Sequence, residues 1–152
     1  DKLFQKMLRA RNFMAGNVMM RQLAFSKVDL FLHRTLAQKS YVNLENEIQS
    51  NLTDYFPKRK SPARTIVHRF SHLFSSPVGY ASAYYSYKWA EVLDADAFTR
   101  FKEEGVMNGQ TGREFRKKIL SQGNALPPDE LFRSFMGRDP STQALLERSG
   151  LA

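Results

Sequence analysis

Helical periodicity of the apolar residues runs through almost the whole chain, and it restricts the possible folds more than any other feature. In the first twelve residues, apolar side chains recur at intervals of three and four, and Asp1 stands at the expected N-cap position. These apolar residues are Leu3, Phe4, Met7 and Leu8. No segment shows the alternation of apolar and polar residues that is typical of a half-buried strand. The pattern predicts an all-α fold.

Further helices are predicted from the same periodicity and from residues that start or stop helices. Three of them span about residues 13–37, 43–55 and 79–104. Three more are expected from a Thr111-x-x-Glu114 capping box to Gly123, from Pro128 through Phe135, and from Asp139-Pro140 to near Gly150. The helix over 13–37 is apolar over much of its circumference, so we expect it to be buried. Gly105 is expected just past the end of the helix over 79–104.

The basic charge is concentrated in the first half of the chain. Its 152 residues have the size of one domain and a net charge of +8. Residues 1–78 hold 13 basic and 5 acidic side chains, whereas residues 79–152 hold 10 of each. The densest cluster, Lys58-Arg59-Lys60 with Arg64 nearby, is expected to be a solvated loop, because no aromatic residues that could stack on bases are interleaved with it. A basic helical module that binds nucleic acid or an acidic protein partner is nevertheless one hypothesis.

Several classes of protein are disfavoured by what the sequence lacks. Without cysteine there is no disulfide framework and no thiol nucleophile. No apolar run approaches the ~18 residues of a membrane span, and residues 1–15 are unlike a signal peptide. Because the chain starts at Asp1 rather than Met, we expect a processed or excised piece whose function does not reside wholly within it.

Two of the three histidines, His68 and His72, are spaced i, i+4, which on a helix would direct both at one metal ion. The zinc motif H-E-x-x-H also needs a glutamate, and Arg69 occupies its place. A guanidinium beside a dication is unfavourable, so metal binding by this pair is disfavoured. His33 lies late in a long helix, where we expect a hydrogen-bonded structural histidine.

Tyrosines are concentrated in the segment that follows Gly79. On a helix, Tyr80, Tyr84 and Tyr87 would fall within an arc of about 60°. The residues roughly opposite would be Tyr85, Trp89 and Val92, and we expect Tyr85 to lie on this packing face. An aromatic stripe most often packs in a core, but three hydroxyls on one face also suit a polar cleft, where a phenol can donate to a developing oxyanion. The pattern alone leaves both interpretations open.

The segment from His72 to Trp89, with Gly79-Tyr80-x-x-x-Tyr84-Tyr85-x-Tyr87-x-Trp89 within it, resembles the C-terminal signature of the thimet oligopeptidase and oligopeptidase A family of zinc peptidases. Similar motifs occur in family order along nearly the whole chain. They include Phe13-Met-Ala-Gly16, Met20-Arg-Gln-Leu23-Ala-Phe25, Asp29-Leu-Phe-Leu-His33, Gly112-Arg-Glu-Phe-Arg116 and Phe135-Met-Gly-Arg138-Asp-Pro140.

The resemblance implies a neurolysin-like, two-lobed and mostly helical peptidase, of which residues 1–152 would form the C-terminal helical part of the catalytic domain. The basic first half would span 1–78, and the tyrosine helix and closing helices 79–152. In the family, zinc is held by H-E-x-x-H and a downstream Glu that precede this region, so we expect no metal ligands in this chain.

The resemblance also assigns roles to individual residues. Tyr80 and Tyr87 take the positions of tyrosines that contact the scissile carbonyl and the tetrahedral intermediate. His72, Gly79 and Tyr84 take substrate-binding positions.

The complete enzyme is expected to hydrolyse short peptides in the cytoplasm, whereas this chain alone would be inactive. Its expected partners are peptide substrates, the rest of its own polypeptide and, through exposed apolar area, further copies of itself. Nucleic acid and membrane are not expected partners. The connection Leu73–Gly79 is longer than the family's glycine-rich loop and contains Pro77, so the substrate range is left open.

Overall fold

A computed structural model describes residues 1–35, 43–57, 60–61 and 64–152, without the side chains of Thr35 and His72. The described residues form α-helices and short 3₁₀ turns with no strand among them, which confirms the all-α prediction. The α-helices are α1 (Lys2–Arg11), α2 (Ala15–Thr35), α3 (Leu44–Asn51), α4 (Ser86–Glu104), α5 (Gly109–Lys118), α6 (Pro128–Met136) and α7 (Gln143–Arg148). The 3₁₀ turns are Thr53–Tyr55, Val67–Arg69, Ser71–Leu73 and Leu120–Gln122.

The chain divides into two compact units, Asp1–Lys88 and Trp89–Ala152, with the division inside α4. No helix in the described ranges has the length and apolar character of a membrane span. From the predicted basic loop, Lys58 and Arg59 lie outside the described residues.

The core of the first unit is built on one face of α2. Its buried apolar side chains are Ala24, Phe25, Val28, Leu32, Ile48, Leu52, Phe70, Leu73 and Tyr84. Other apolar residues of α2 are exposed, namely Val18, Leu23 and Leu30. The expectation that this helix is buried therefore holds for one face only.

α1 begins as predicted. The Asp1 side chain caps it by accepting a hydrogen bond from the backbone N–H of Leu3 at 2.9 Å. No residue of α1 is buried, however, and Leu3, Phe4 and Met7 are each more than half exposed. The apolar stripe of this helix has no partner among the described residues.

The second unit packs α4 to α7 around buried apolar residues. These are Val92, Ala95, Leu131, Phe132, Phe135 and Leu145. At the surface of this core, Arg138 donates two 2.7 Å hydrogen bonds to the carboxylate of Asp96, which also accepts from the backbone N–H of Ser141 at 2.7 Å. Pro128 occupies the first turn of α6, as predicted.

The predicted capping box at Thr111 is wrong. α5 begins two residues earlier, at Gly109, and Asn108 is its N-cap, accepting from the Gln110 N–H at 2.9 Å. Thr111 is buried within α5, and its hydroxyl donates to Glu104 at 2.5 Å. The Glu114 carboxylate is paired with a guanidinium on α4 instead of with the backbone.

The N-cap predicted at Asp139 is also wrong. Asp139 accepts a 2.6 Å hydrogen bond from Nε of Arg133, and α7 starts only at Gln143, after Thr142. In both cases the side chain that the local pattern assigned to a cap bonds to another side chain instead, Thr111 to Glu104 and Asp139 to Arg133.

The largest departure concerns the tyrosine segment. The helix predicted from Gly79 begins only at Ser86, and residues 79–85 form turns. Ser82 has a φ of 57°, in the left-handed region that interrupts a helix. Within this segment the backbone N–H groups of Ser82 and Tyr84 donate to the carboxylate of Asp29 on α2, at 3.0 Å and 2.8 Å. The other end is as predicted, since α4 stops at Glu104 and Gly105 follows with a φ of 104°.

Candidate functional site

The hydroxyl groups of Tyr80 and Tyr87 meet in the first unit. Oη of Tyr87 donates a hydrogen bond to Oη of Tyr80 at 2.7 Å, and the two rings stack with centroids 5.8 Å apart at 15°. Tyr87 is 46% exposed. The sequence predicted that these two residues share a face, and the structure brings them together although the intervening segment is not helical.

Tyr84, the third tyrosine of the predicted stripe, is buried at 8% exposure. Its ring lies 5.1 Å from that of Phe70 and 5.9 Å from that of Phe25, and its hydroxyl donates to Oε1 of Gln22 at 3.2 Å. It also meets the ring of Tyr87 edge-on, with centroids 5.2 Å apart. Tyr84 thus supports the ring of Tyr87 from the core side, and its assignment as a substrate contact stays a prediction.

Two phenols of the site are kept in the neutral form. The hydrogen bond to Tyr80 raises the pKa of Tyr87, because ionisation would remove the donated proton. Burial raises the pKa of Tyr84, and this effect is larger than that of the positive charge of Arg21, which lowers the pKa. Both hydroxyls are therefore donors at neutral pH.

The face that was predicted to lie opposite, with Tyr85, Trp89 and Val92, is only partly buried. Val92 is buried, but Tyr85 is 51% exposed and Trp89 is similarly open. The prediction that Tyr85 packs is wrong, because the helical phase on which it rested does not extend upstream of Ser86.

The two histidines at i, i+4 do not share a helix. Val67–Arg69 and Ser71–Leu73 are separate 3₁₀ turns, and Phe70 between them has φ −87° and ψ 53°. Nε2 of His68 is exposed and lies 3.8 Å from Oε2 of Glu45. The side chain of His72 lies outside the described part of the chain, so its substrate-binding role stays a prediction.

Gly79 is exposed at the end of the connection that leads to Tyr80. A Cβ added there would lie 3.3 Å from Cβ of Ser76, closer than an ordinary contact. The backbone therefore makes a tight approach at this position. The predicted substrate contact of Gly79 stays a prediction.

No group of three or more His, Asp or Glu side chains that could hold a metal ion exists within the described residues. Zinc accepts three or four such ligands, so the described side chains do not fit a zinc site.

The sequence reasoning missed Asp29 and Gln22, the two polar partners that hold the tyrosine segment. A signal was present, since Asp29 interrupts the apolar face of a helix and precedes His33 by four residues. His33 itself is as predicted, with Nδ1 2.8 Å from Oδ1 of Asp29. What the sequence could not indicate is that the carboxylate reaches a segment more than fifty residues away.

Comparison with known proteins places the chain in a family. The model of Peptidase family M3 matches residues 1–151. The chain belongs to peptidase family M3. The resemblance inferred from the tyrosine segment and its flanking motifs is thereby confirmed at the level of the family.

Individual M3 relatives match along nearly the whole chain. Oligopeptidase A of Haemophilus influenzae is 40% identical over 151 residues, which cover 99% of this chain and 22% of the relative. The organellar oligopeptidase A, chloroplastic/mitochondrial, of Arabidopsis thaliana is 39% identical over 158 residues, covering 99% of this chain and 19% of the relative. Dipeptidyl carboxypeptidase of Escherichia coli is 30% identical over 152 residues, with coverage of 99% and 22%. The chain spans only 19 to 22% of the length of these M3 relatives.

Proposed function

We propose that this chain acts as part of a zinc metallopeptidase that hydrolyses short peptides, and that it supplies the tyrosine and histidine wall of the substrate cleft. Membership of peptidase family M3 supports the reaction class. The observation that carries the assignment of roles is the pair of hydroxyls of Tyr80 and Tyr87, 2.7 Å apart on an exposed part of the first unit.

The distance between the two hydroxyls supports a shared contact with one oxyanion. Hydrogen-bond donors act on a tetrahedral intermediate from about 2.7–3.1 Å. An oxygen at that distance from both hydroxyls completes a nearly equilateral triangle with their 2.7 Å separation. Tyr80 and Tyr87 can therefore converge on one negative oxygen once their mutual hydrogen bond is exchanged for two bonds to the substrate.

The protonation state agrees with this role. A phenol stabilises an oxyanion only while it keeps its proton, and the bond to Tyr80 raises the pKa of Tyr87 above its usual value. At neutral pH Tyr87 is therefore uncharged and offers a donor without repelling the developing negative charge.

The metal belongs to other parts of the complete enzyme in this proposal, since the described side chains do not fit a zinc site. The steps assigned to this chain are binding the peptide and donating hydrogen bonds. His72, Gly79 and Tyr84 are proposed as peptide contacts next to the tyrosine pair. The cytoplasmic location also stays a proposal, because one M3 relative is named as organellar.

Family membership favours the peptidase over the basic binding module. That module was suggested by the basic excess of residues 1–78, and Lys58 and Arg59 of its densest cluster lie outside the described residues. A salt titration separates the two functions, because a protein that neutralises several phosphates loses affinity steeply as salt rises.

The test of the proposed function is peptide hydrolysis by the complete protein carrying Tyr80→Phe, Tyr87→Phe or both. Each single change should lower mainly kcat, and the double variant should lose less than the product of the two single losses, because both donors serve one charge. Fully multiplicative losses, or losses confined to KM, would contradict the shared role.

A further inference from the structure

Asp29 on α2 is a completely buried carboxylate, with 0% exposure. Its Oδ1 accepts from the backbone N–H of Ser82 at 3.0 Å and its Oδ2 from that of Tyr84 at 2.8 Å. Burial of a carboxylate is tolerated only where several donors replace water. Here the donors belong to the turn that precedes α4.

A third donor comes from the same helix. Nδ1 of His33 lies 2.8 Å from Oδ1 of Asp29 and 3.0 Å from the Asp29 carbonyl oxygen. Both partners are acceptors, so Nδ1 carries a hydrogen. The His33 ring stacks on Phe74 at 5.6 Å and 25°, which fixes its orientation. The carboxylate is thereby held between its own helix and the turn.

The turn needs this support. Ser82 has a φ of 57°, in the left-handed region that non-glycine residues rarely adopt. Such residues persist where the surrounding structure over-determines them. The N–H of the strained residue is itself one of the two that Asp29 accepts.

The backbone of the same turn connects Tyr80 and Tyr87, the two tyrosines whose hydroxyls are hydrogen-bonded to each other. The N–H of Ala83 donates to the carbonyl of Tyr80 at 3.0 Å, and the N–H of Tyr87 donates to the carbonyl of Tyr84 at 3.4 Å. Tyr80 lies just before Ser82, and Tyr87 lies after it, at the start of α4. A displacement of Ser82 and Tyr84 would therefore move the two tyrosines relative to each other.

We propose that Asp29 is a positioning residue: by holding the backbone of Ser82 and Tyr84, its carboxylate sets the encounter of the Tyr80 and Tyr87 hydroxyls. Asp29 touches neither hydroxyl and acts only through the turn. Its catalytic consequence rests on the proposed function, whereas its effect on the hydroxyl pair does not.

Asp29→Asn is the informative change because it keeps the shape of the side chain. The amide oxygen of Asn can still accept a hydrogen bond from the backbone N–H of either Ser82 or Tyr84. The NH₂ group of Asn then faces the other backbone N–H, and two donors cannot form a hydrogen bond. One of the two bonds to the turn must be lost, so the pair of hydroxyls should separate in a folded protein.

The readout is a 3-fluorotyrosine introduced at position 87 of the complete protein, whose fluorine resonance follows ionisation of that phenol. In the otherwise unchanged protein its titration midpoint should lie above the midpoint measured with Tyr80→Phe. With Asp29→Asn the midpoint should fall to the Tyr80→Phe value. In the unlabelled protein, kcat should fall on the order of 10- to 10²-fold, as for a misplaced catalytic group, with KM changed by less than about threefold.

Two matched controls should leave the midpoint unchanged. Ser26→Ala removes a buried hydroxyl from the same helix, where it donates to the carbonyl of Gln22 at 3.0 Å. Asp54→Asn repeats the chemical change at an exposed acid of the same unit. A folded Asp29→Asn protein with the original midpoint would overturn the proposal, and so would a loss of kcat without a shift of the midpoint.

If Asp29→Asn does not fold, amide hydrogen exchange of the unchanged protein decides instead. The amides of Ser82 and Tyr84 should be protected to the level of α4, although they lie in an irregular turn, and fast exchange of both would overturn the proposal. A shifted midpoint in a protein that never hydrolyses peptides would support the positioning role and refute the proposed function, so the two failures are distinguishable.

Discussion

The hydroxyl of Tyr87 donates to the hydroxyl of Tyr80 across only 2.7 Å, although the two residues are seven positions apart in the sequence. On a continuous helix they would be about 10 Å apart along the axis, at 1.5 Å per residue. The turn at Ser82, with its φ of 57°, removes that separation and stacks the rings at 5.8 Å. The pair therefore forms where the structure departs from the predicted helix.

The first prediction concerns the ionisation of Tyr87. Because the bond to Tyr80 raises the pKa of Tyr87, Tyr80→Phe should lower it, and Tyr87 should ionise at a lower pH in that variant. Tyrosine absorbance recorded against pH, with Tyr87→Phe as the background to subtract, measures this. Tyr85→Phe is the control, since Tyr85 lies outside the hydroxyl pair. An unchanged titration of Tyr87 in Tyr80→Phe would show that the bond does not form in solution.

The second prediction concerns Arg138 and Asp96 in the second unit. Arg138→Met leaves a carboxylate that is only 3% exposed without its guanidinium, and we expect a loss of roughly 1–3 kcal/mol of unfolding free energy. Arg133→Met is a matched control. The Arg133 side chain is 49% exposed against 45% for Arg138, but its partners Asp129 and Asp139 are open to solvent. Urea unfolding of the chain followed by circular dichroism should show a clearly larger loss for Arg138→Met, and equal losses would contradict the role of burial.

The same pair predicts a dependence on acid. Hydrogen bonds from Arg138 lower the pKa of Asp96, and the Ser141 N–H acts in the same direction against the opposing effect of burial. A carboxyl whose pKa is lower in the folded state contributes stability above its unfolded pKa of about 3.9, and this contribution is lost as the pH falls through the folded value. Asp96→Asn should therefore destabilise the chain at neutral pH and flatten the acid limb of its stability curve below about pH 4. An unaltered acid limb would contradict this assignment.

Signals that are local in the sequence predicted this fold well. Asp1 caps α1, Pro128 begins α6 and Gly105 follows α4, because each acts on backbone groups within a few residues. The predictions that failed involve partners that are distant or ionic. Thr111 bonds to Glu104 instead of capping a helix. In place of the helix predicted from Gly79 stands a turn, one N–H of which bonds to Asp29, more than fifty residues earlier.

The candidate site shows the same division. Periodicity put Tyr80 and Tyr87 on one face, and the structure pairs them. Periodicity also predicted Tyr84 on that face and Tyr85 on the packing face, whereas in the structure Tyr84 is buried and Tyr85 is exposed. The helical phase could not be extrapolated across Ser82, whose backbone is left-handed and whose N–H bonds to Asp29 on α2.

The third prediction is that the isolated chain self-associates through the apolar face of α1. Phe4 and Met7 lie on this face, are more than half exposed, and have no cover among the described residues. Phe4→Glu with Met7→Lys should move association to concentrations at least several-fold higher in sedimentation experiments. Met107→Lys, at an exposed apolar residue outside any helix, should not. A chain that stays monomeric over a wide concentration range would refute the prediction.

The fourth prediction is that the isolated chain is helical but neither binds zinc in a peptidase-like site nor cleaves peptides. The described side chains provide no group of three metal ligands. Circular dichroism, metal analysis after dialysis and peptide hydrolysis with and without a chelator test the three parts. Stoichiometric tight zinc together with chelator-sensitive hydrolysis would overturn it.

The most direct test of the account is the kinetics of Tyr87→Phe in the complete protein. The change keeps the ring that stacks on Tyr80 and packs on Tyr84, and removes only the hydroxyl. We expect kcat to fall on the order of 10²–10³-fold with little change in KM, as for other single oxyanion donors, while Tyr85→Phe leaves kcat almost unchanged. If Tyr87→Phe raised only KM, or if Tyr85→Phe were equally damaging, this chain would not supply the oxyanion donors.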